Sequence, residues 1–283
     1  MYFFVSPSLN TLIDLALEED MINGDITSIY TVEKDKKTKG KIIAKEDMVF
    51  CGGIIIEPIL KKIDGSVKFD IKIEEGKSIK KGTECVIFEG NAISILSAER
   101  TILNFMQRMS AIATKTRKYV NALNNPKIKI VDTRKTLPGF RYIDKYSVKI
   151  GGGSNHRMGL SDAVLIKENH IHSAGSIKKA ITKAKENAPH TMKIECEVTN
   201  LLEVEEAVQN GADIIMLDNM DIETMKEAIK TIRAYNKNII IEVSGNVTLE
   251  RLPLLGQLDI DIISSGALTH SVKAADLSMK FFD

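Results

Sequence analysis

Residues 193–219 read KIECEVTNLLEVEEAVQNGADIIMLDN. The run at 193–198 has the length and composition of a strand. Residues 200–210 read as a helix, and a second apolar run follows at 213–217. Strand, helix and strand in that order make a unit whose two strands lie parallel, joined by a right-handed crossover.

The same pattern extends outward in both directions. Short apolar runs recur at 128–132, 163–167, 239–243 and 260–264, and further helical segments lie at 175–187 and 221–235. Six strands with one further uncertain strand predict an α/β barrel, closed or open. A doubly wound open sheet is the rival topology. No GxGxxG follows the first strand, which counts against a dinucleotide-binding fold.

The strands end in polar residues. Ile128–Val131 runs into Asp132-Thr133-Arg134-Lys135, and Val164–Ile166 into Lys167-Glu168-Asn169-His170. Lys193–Cys196 leads to Glu197, and Ile214–Leu217 to Asp218-Asn219. Ile241–Val243 leads to Ser244-Gly245-Asn246, and Ile262-Ile263 to Ser264-Ser265-Gly266. In a parallel barrel all strand C-termini emerge on one face, so residues distant in sequence surround one pocket. Arg134, Lys135, His156, Arg157 and Lys167 would then share a small volume, with Glu197 and Asp218 too few to neutralise them. Such a cluster repels itself unless an anion enters, and charge-assisted hydrogen bonds to that anion offset the repulsion. The expectation is a pocket for a small, multiply anionic ligand. Gly151–Gly153 allow the backbone to approach it closely. Ser244-Gly245 and Ser265-Gly266 read as phosphate loops that expose N–H groups before helical segments.

Upstream, residues 8–20 read as an amphipathic helix with Ser8 as its N-cap, and Asn23-Gly24-Asp25 as a turn. Strands are expected at 39–50 and 67–89, the second stretch similar to a carrier-domain hairpin but read as structural. A long helix is expected over 92–123, with its methionines as core fillers.

Bulk properties exclude several classes. A formal net charge of +1 gives no global field for nucleic acid or membrane. The absence of Trp and the 5% aromatic content argue against a base-stacking surface. Cys51, Cys85 and Cys196 are widely spaced, which suits reduced thiols in a cytoplasmic protein better than a metal site or a disulfide framework. No run approaches the ~18 apolar residues of a membrane span. The opening MYFFVSPSLN lacks the pattern of a secretion leader.

Several stretches together resemble the quinolinate phosphoribosyltransferases, the carboxylating nicotinate-nucleotide pyrophosphorylases. They are EEDMINGDITS (18–28), SAERTILNFMQRMSAIAT (97–114), DTRKTLPGFRYIDKYSVKIGGGSNHRMGLSDAVLIKENHI (132–171), ECEV (195–198), IIMLDN (214–219), VSGN (243–246) and SSGALTHS (264–271). Glu168, Cys196 and Asn246 stand where the family commonly has aspartate, an aliphatic residue and glycine.

The resemblance implies an N-terminal α/β sandwich domain over 1–112 and an open, seven-stranded α/β barrel over 113–283, with the tail at 270–283 able to return to the first domain. It implies transfer of phosphoribosyl from phosphoribosyl pyrophosphate to quinolinate with loss of carbon dioxide, requiring Mg²⁺ and no organic cofactor. Arg134, Lys135, His156, Arg157 and Lys167 match the family's substrate-binding cations, and Lys135 or Lys167 is the expected proton source in catalysis. Glu197 and Asp218 match its ribose-side and metal-side carboxylates. Ser244, Gly245, Ser265 and Gly266 match its 5′-phosphate loops. Arg100 matches an arginine contributed across the interface of a homodimer, which in some members assembles into a hexamer. Two rival readings stay open at this point: a related protein encoded with molybdate transporters, and a nucleotide-sensing module without turnover.

Overall fold

The structure, a computed structural model, describes residues 7–282. Most of the stretch on which the leader reading rested lies outside the described residues. The chain divides into two compact units. One comprises residues up to Arg117, Thr136–Gly152 and the segment from Leu268; the other comprises Lys118–Lys135 and Gly153–Ala267. The division falls inside a 32-residue helix, Ala92–Leu123. Asn124, at φ 48°, ends that helix in the left-handed region, two residues before Pro126.

The first unit holds strands β1 (Lys37–Ala44), β2 (Met48–Val49), β3 (Lys68–Ile71), β4 (Ser78–Ile79), β5 (Glu84–Asn91) and the C-terminal β12 (Leu277–Phe282). Four of these form an antiparallel sheet in the order β12-β1-β5-β3. Along β1 the buried residues alternate, with Gly40, Ile42 and Ala44 on one face, as a half-buried strand requires. Leu9 and Ile13 of the first helix, Pro7–Met21, join the core behind this sheet. Ser8, expected as that helix's N-cap, lies within its first turn instead. Asp25 does cap the next helix, Ile26–Thr31, accepting the Ser28 backbone N–H at 3.0 Å.

A helix at Arg141–Ile150 was not anticipated in the segment between the first two barrel strands. Its Ile143, Tyr146 and Val148 are buried, and its Asp144 pairs with Arg108 through two hydrogen bonds of 2.7 and 2.6 Å. The apolar spacing was present, but basic and glycine-rich flanks disguised it.

The second unit holds β6 (Lys129–Val131), β7 (Val164–Ile166), β8 (Ile194–Val198), β9 (Ile214–Asp218), β10 (Ile240–Ser244) and β11 (Ile262–Ser264). All pair in parallel, in the order β6-β11-β10-β9-β8-β7. From β7 to β11 each strand is followed by its sequence neighbour, and the last then pairs with the first. That circular order is a barrel left open between β6 and β7; a doubly wound sheet would reverse direction partway. The described residues show six strands rather than seven. On the free edge of β6 stands a single parallel bridge, Val131 to Ser154, in which the Ser154 N–H donates to Ile130 O at 2.8 Å.

Side chains alternate along these strands. Cys196, Val198, Ile215, Leu217, Ile241 and Val243 form one buried set, over which helices such as Ile177–Asn187 and Leu201–Gln209 pack. Burying a side chain the size of Ile215 contributes about 1.5–3 kcal/mol. The intervening residues face the barrel interior: Glu195 and Glu197, Met216 and Asp218, Glu242 and Ser244. The interior is thus unusually rich in carboxylates.

Candidate active site

All but one of the sequence-predicted site residues belong to the second unit; most stand at or just beyond the C-terminal ends of its strands, and His156 and Arg157 follow the bridge at Ser154. The exception is Arg100, an exposed residue on the long helix in the first unit.

After β6 comes Asp132, which is fully buried. Its carboxylate accepts the His156 backbone N–H at 3.0 Å and the Asn155 side-chain amide. This ties the segment after the triple glycine to the end of β6. Arg134 and Lys135 follow on the exposed turn, where the Lys135 N–H donates to Thr133 Oγ1 at 3.1 Å.

His156 is held by both ring nitrogens. Nδ1 accepts the Arg157 backbone N–H at 2.7 Å, while Nε2 lies 3.3 Å from Glu195 Oε2 and 3.6 Å from Glu242 Oε2. Glu195 and Glu242 are 3% and 1% exposed, which makes them the most deeply buried acids of the barrel strands. Burial, and after it the neighbouring Glu195 carboxylate, push the Glu242 carboxyl up to about 7. Arg157 is anchored in turn by Nη1, which donates to Ala163 O at 2.9 Å. Burial and the nearby Arg134 both lower its pKa, as expected for two guanidinium groups at close quarters. Arg157 also lines a recess of about 400 Å³ beside the edge strand β7, together with Leu165, Ile166 and His170.

The Lys167 ammonium, at the end of β7, pairs with the Glu197 carboxylate at the end of β8. Asp218, at the end of β9, accepts the Asn219 side-chain amide at 2.8 Å. Asn219 in turn accepts the Asn246 side-chain amide at 3.2 Å. Asn219 and Asn246 both occupy the left-handed region, with φ of 55° and 49°. Asparagine is the residue other than glycine that best tolerates it. Arg251 braces the same two loops, donating to Asn246 O at 3.2 Å and to Met220 O at 3.1 Å.

The two Ser-Gly pairs differ. Ser265 and Gly266 directly precede the short helix Ala267–His270, but the Ser265 N–H already donates to Val131 O at 3.0 Å, so it does not point at a ligand. After Ser244 and Gly245 the next helix starts only at Leu252, so that pair forms a loop rather than a helix N-terminus.

At the strand ends alone, five cations face only Glu197 and Asp218. The fold adds Asp132, Glu195 and Glu242. Arg134 and Lys135 stand exposed at the rim, whereas these added acids are buried. Alternation two residues before Glu197 and two residues before Ser244 could have revealed Glu195 and Glu242, since both sit in plain strands. A cysteine nucleophile has no place here: all three thiols are buried, and burial raises Cys51, Cys85 (to about 11) and Cys196 (to about 12).

Two family profiles match the chain: quinolinate phosphoribosyl transferase, N-terminal domain, over residues 25–110, and the C-terminal domain of the same family over 112–280. The chain is 41% identical to the probable nicotinate-nucleotide pyrophosphorylase [carboxylating] of Bacillus subtilis, over 96% of this chain and 92% of that one. It is 42% identical to the chloroplastic nicotinate-nucleotide pyrophosphorylase [carboxylating] of Arabidopsis thaliana, over 96% and 82%. The crystal structure of NadC from Streptococcus pyogenes superposes with a TM-score of 0.93 at 38% identity, over the whole of both chains.

Proposed function

The chain belongs to the quinolinate phosphoribosyl transferase family, and from that premise we propose that it transfers phosphoribosyl from phosphoribosyl pyrophosphate to quinolinate with decarboxylation, in NAD biosynthesis. The observation that carries the reading is the convergence of cations and carboxylates at the open ends of six parallel strands. Quinolinate is a planar dicarboxylate, and guanidinium groups such as Arg134 and Arg157 pair with carboxylates in bidentate fashion.

In the reaction the pyridine nitrogen forms a bond to C1′ of the ribose as the C1′–O bond to pyrophosphate breaks. Positive charge builds at C1′, and Glu197 and Asp218 stabilise it electrostatically. The nitrogen becomes cationic, so the electron pair of the C2–carboxylate bond stays on C2 as carbon dioxide leaves. A proton then reaches C2 from Lys135 or Lys167, directly or through water. The Lys167–Glu197 pair suits Lys167 to this role, since it holds the ammonium at the end of β7 beside the strand-end carboxylates. Ser244, Gly245 and Gly266 hold the 5′-phosphate, with Ser265 contributing through its hydroxyl because its N–H is taken by Val131 O, and His156 belongs to the quinolinate side of the pocket.

The donors fit a Mg²⁺ ion. Glu197 and Asp218 offer hard oxygen ligands from the inner faces of adjacent strands, and both are partly open to solvent. Glu197 and Asp218 would hold the ion, which when bound would supply charge neutralisation for the departing pyrophosphate. No organic cofactor is needed, because the pyridinium itself accepts the electrons.

The protein acts as a homodimer, open to further assembly into a hexamer, with Arg100 reaching the partner's site. An exposed apolar group in the first unit supports an interface: Ile22, Ile26, Ile29 and Tyr30 are each more than half exposed. The location is cytoplasmic; three free thiols and the absence, among the described residues, of a helix long and apolar enough to cross a membrane accord with it. Incubation with both substrates and Mg²⁺, followed by identification of the nucleotide by mass, tests the reading. Nicotinate mononucleotide is the expected product, and an unchanged phosphoribosyl pyrophosphate pool would overturn it.

A further inference from the structure

We infer that Glu195 and Glu242 are positioning residues that fix the His156 ring with its proton on Nε2, while the Arg157 N–H donated to Nδ1 keeps that ring neutral, so that His156 anchors Arg157 instead of lending positive charge to a substrate. The inference deepens the reading of the strand-end pocket as a site for a pyridine dicarboxylate, and rests on it.

Nδ1 fixes the protonation of the ring. That nitrogen accepts the Arg157 backbone N–H at 2.7 Å, and a ring nitrogen that accepts a hydrogen bond carries no proton of its own. The ring proton therefore sits on Nε2. There it faces Glu195 Oε2 at 3.3 Å as its acceptor, with Glu242 Oε2 at 3.6 Å behind. An imidazolium would turn an Nδ1–H against the Arg157 N–H.

The same three residues bring one nitrogen and two carboxylate oxygens within 4.8 Å of one another, the outline of a metal site. The second ring nitrogen rules that use out. A metal-bound histidine donates its other N–H to a carbonyl or carboxylate, whereas here that nitrogen meets a donor. Glu195 and Glu242 each also carry a buried Oε1 with no hydrogen-bond partner, so the Nε2–H is a valuable donor to a poorly supplied acid pair. Removing Glu195 frees the ring to rotate.

The consequence falls on Arg157. Its backbone N–H is fixed by His156, and its guanidinium by Ala163 O. The His156 backbone N–H is fixed in turn by Asp132. With the ring locked, the origin of the Arg157 side chain has no freedom, which is what bidentate recognition of a planar carboxylate requires.

The first test uses the unaltered full chain labelled with nitrogen-15 in histidine, at neutral pH and without substrate, with His156→Gln supplying the assignment. The expected spectrum shows a neutral ring protonated on Nε2; an imidazolium, or a proton on Nδ1, overturns the inference. The second measures quinolinate affinity by calorimetry. Glu195→Ala should weaken binding roughly tenfold to a hundredfold, the usual range for residues that orient a binding group. Glu195→Gln, which keeps an acceptor for Nε2–H, should recover most of that loss. In turnover the Ala variant should raise KM for quinolinate more than it lowers kcat. Equal losses in Ala and Gln variants, or none in either, would contradict positioning. If the unaltered chain binds no quinolinate, the substrate reading fails and the histidine spectrum alone decides the positioning.

Discussion

Asn219 occupies the space that a side chain on Gly245 would need. A Cβ at Gly245 would lie 2.1 Å from Asn219 Oδ1 and 2.9 Å from the Asn219 nitrogen, and Gly245 sits at φ +83°. The glycine therefore serves two purposes at once: it adopts a backbone conformation that L side chains rarely take, and it lets Asn219 reach Asp218.

Gly245→Ala should consequently damage the site more than the fold. Asn219 must move, and its amide leaves the Asp218 carboxylate. We expect kcat/KM to fall by at least about tenfold, in the manner of other lost orienting contacts. Left-handed strain should add a destabilisation of roughly 1–2 kcal/mol. Steady-state kinetics beside thermal unfolding separate the two effects; a fully active, less stable variant would mean that Asn219 does not orient Asp218.

Glu242 makes stability depend on pH in an unusual direction. Its folded pKa of about 7 lies above its ordinary 4.5, so folding favours the protonated form. That contribution is complete below about 4.5 and is lost as pH rises through about 7. At pH well above 7 the buried carboxylate costs roughly 3 kcal/mol relative to its protonated state. Glu242→Gln, which cannot ionise, should therefore be more stable than the parent at alkaline pH and similar to it under mildly acidic conditions. Denaturant unfolding across that range is the check; parallel pH profiles for the two proteins would exclude a titrating Glu242.

Lys135 and Lys167 compete as the proton source for C2. Lys167 pairs with Glu197, whereas Lys135 stands exposed at the rim. Lys167→Met should slow decarboxylation in single-turnover experiments beyond its effect on binding, by about 10²-fold or more if it is the general acid. Lys135→Met should act mainly on phosphoribosyl pyrophosphate affinity. If neither substitution slows the step beyond its binding defect, water supplies the proton.

Arg100 offers a test of assembly. Arg100→Ala and Arg134→Ala chains should each be inactive alone. In a mixed dimer both defects fall in one site and leave the other intact, so part of the activity should return. Absence of recovery, with mixed dimers shown to form, would place Arg100 outside the partner's site.

The barrel was legible because its strands and helices alternate in fixed order and because polar residues recur at strand ends. Lys167, Glu197, Asp218 and Ser244 all stand where that reading put them, on or at the end of a barrel strand. Reading only the strand ends hid Glu195 and Glu242. They lie within strands, where a charged residue reads as an interruption of an apolar run and becomes meaningful only once the inward face is known. The described residues show six barrel strands and, on the free edge of β6, only a single bridge at Ser154 where a seventh strand was expected from the resemblance. The Ser244-Gly245 loop was placed before a helix that begins only at Leu252, because Asn246 takes the chain through a left-handed turn first.

The most direct test of the central claim is release of carbon dioxide from quinolinate labelled in its 2-carboxylate, with Mg²⁺, run with and without phosphoribosyl pyrophosphate and beside a nicotinate control. The account predicts release that depends strictly on the sugar pyrophosphate, in equal amount to the nicotinate mononucleotide formed, and no nucleotide from nicotinate. A folded protein that releases no carbon dioxide, or that makes the nucleotide from nicotinate instead, would contradict it.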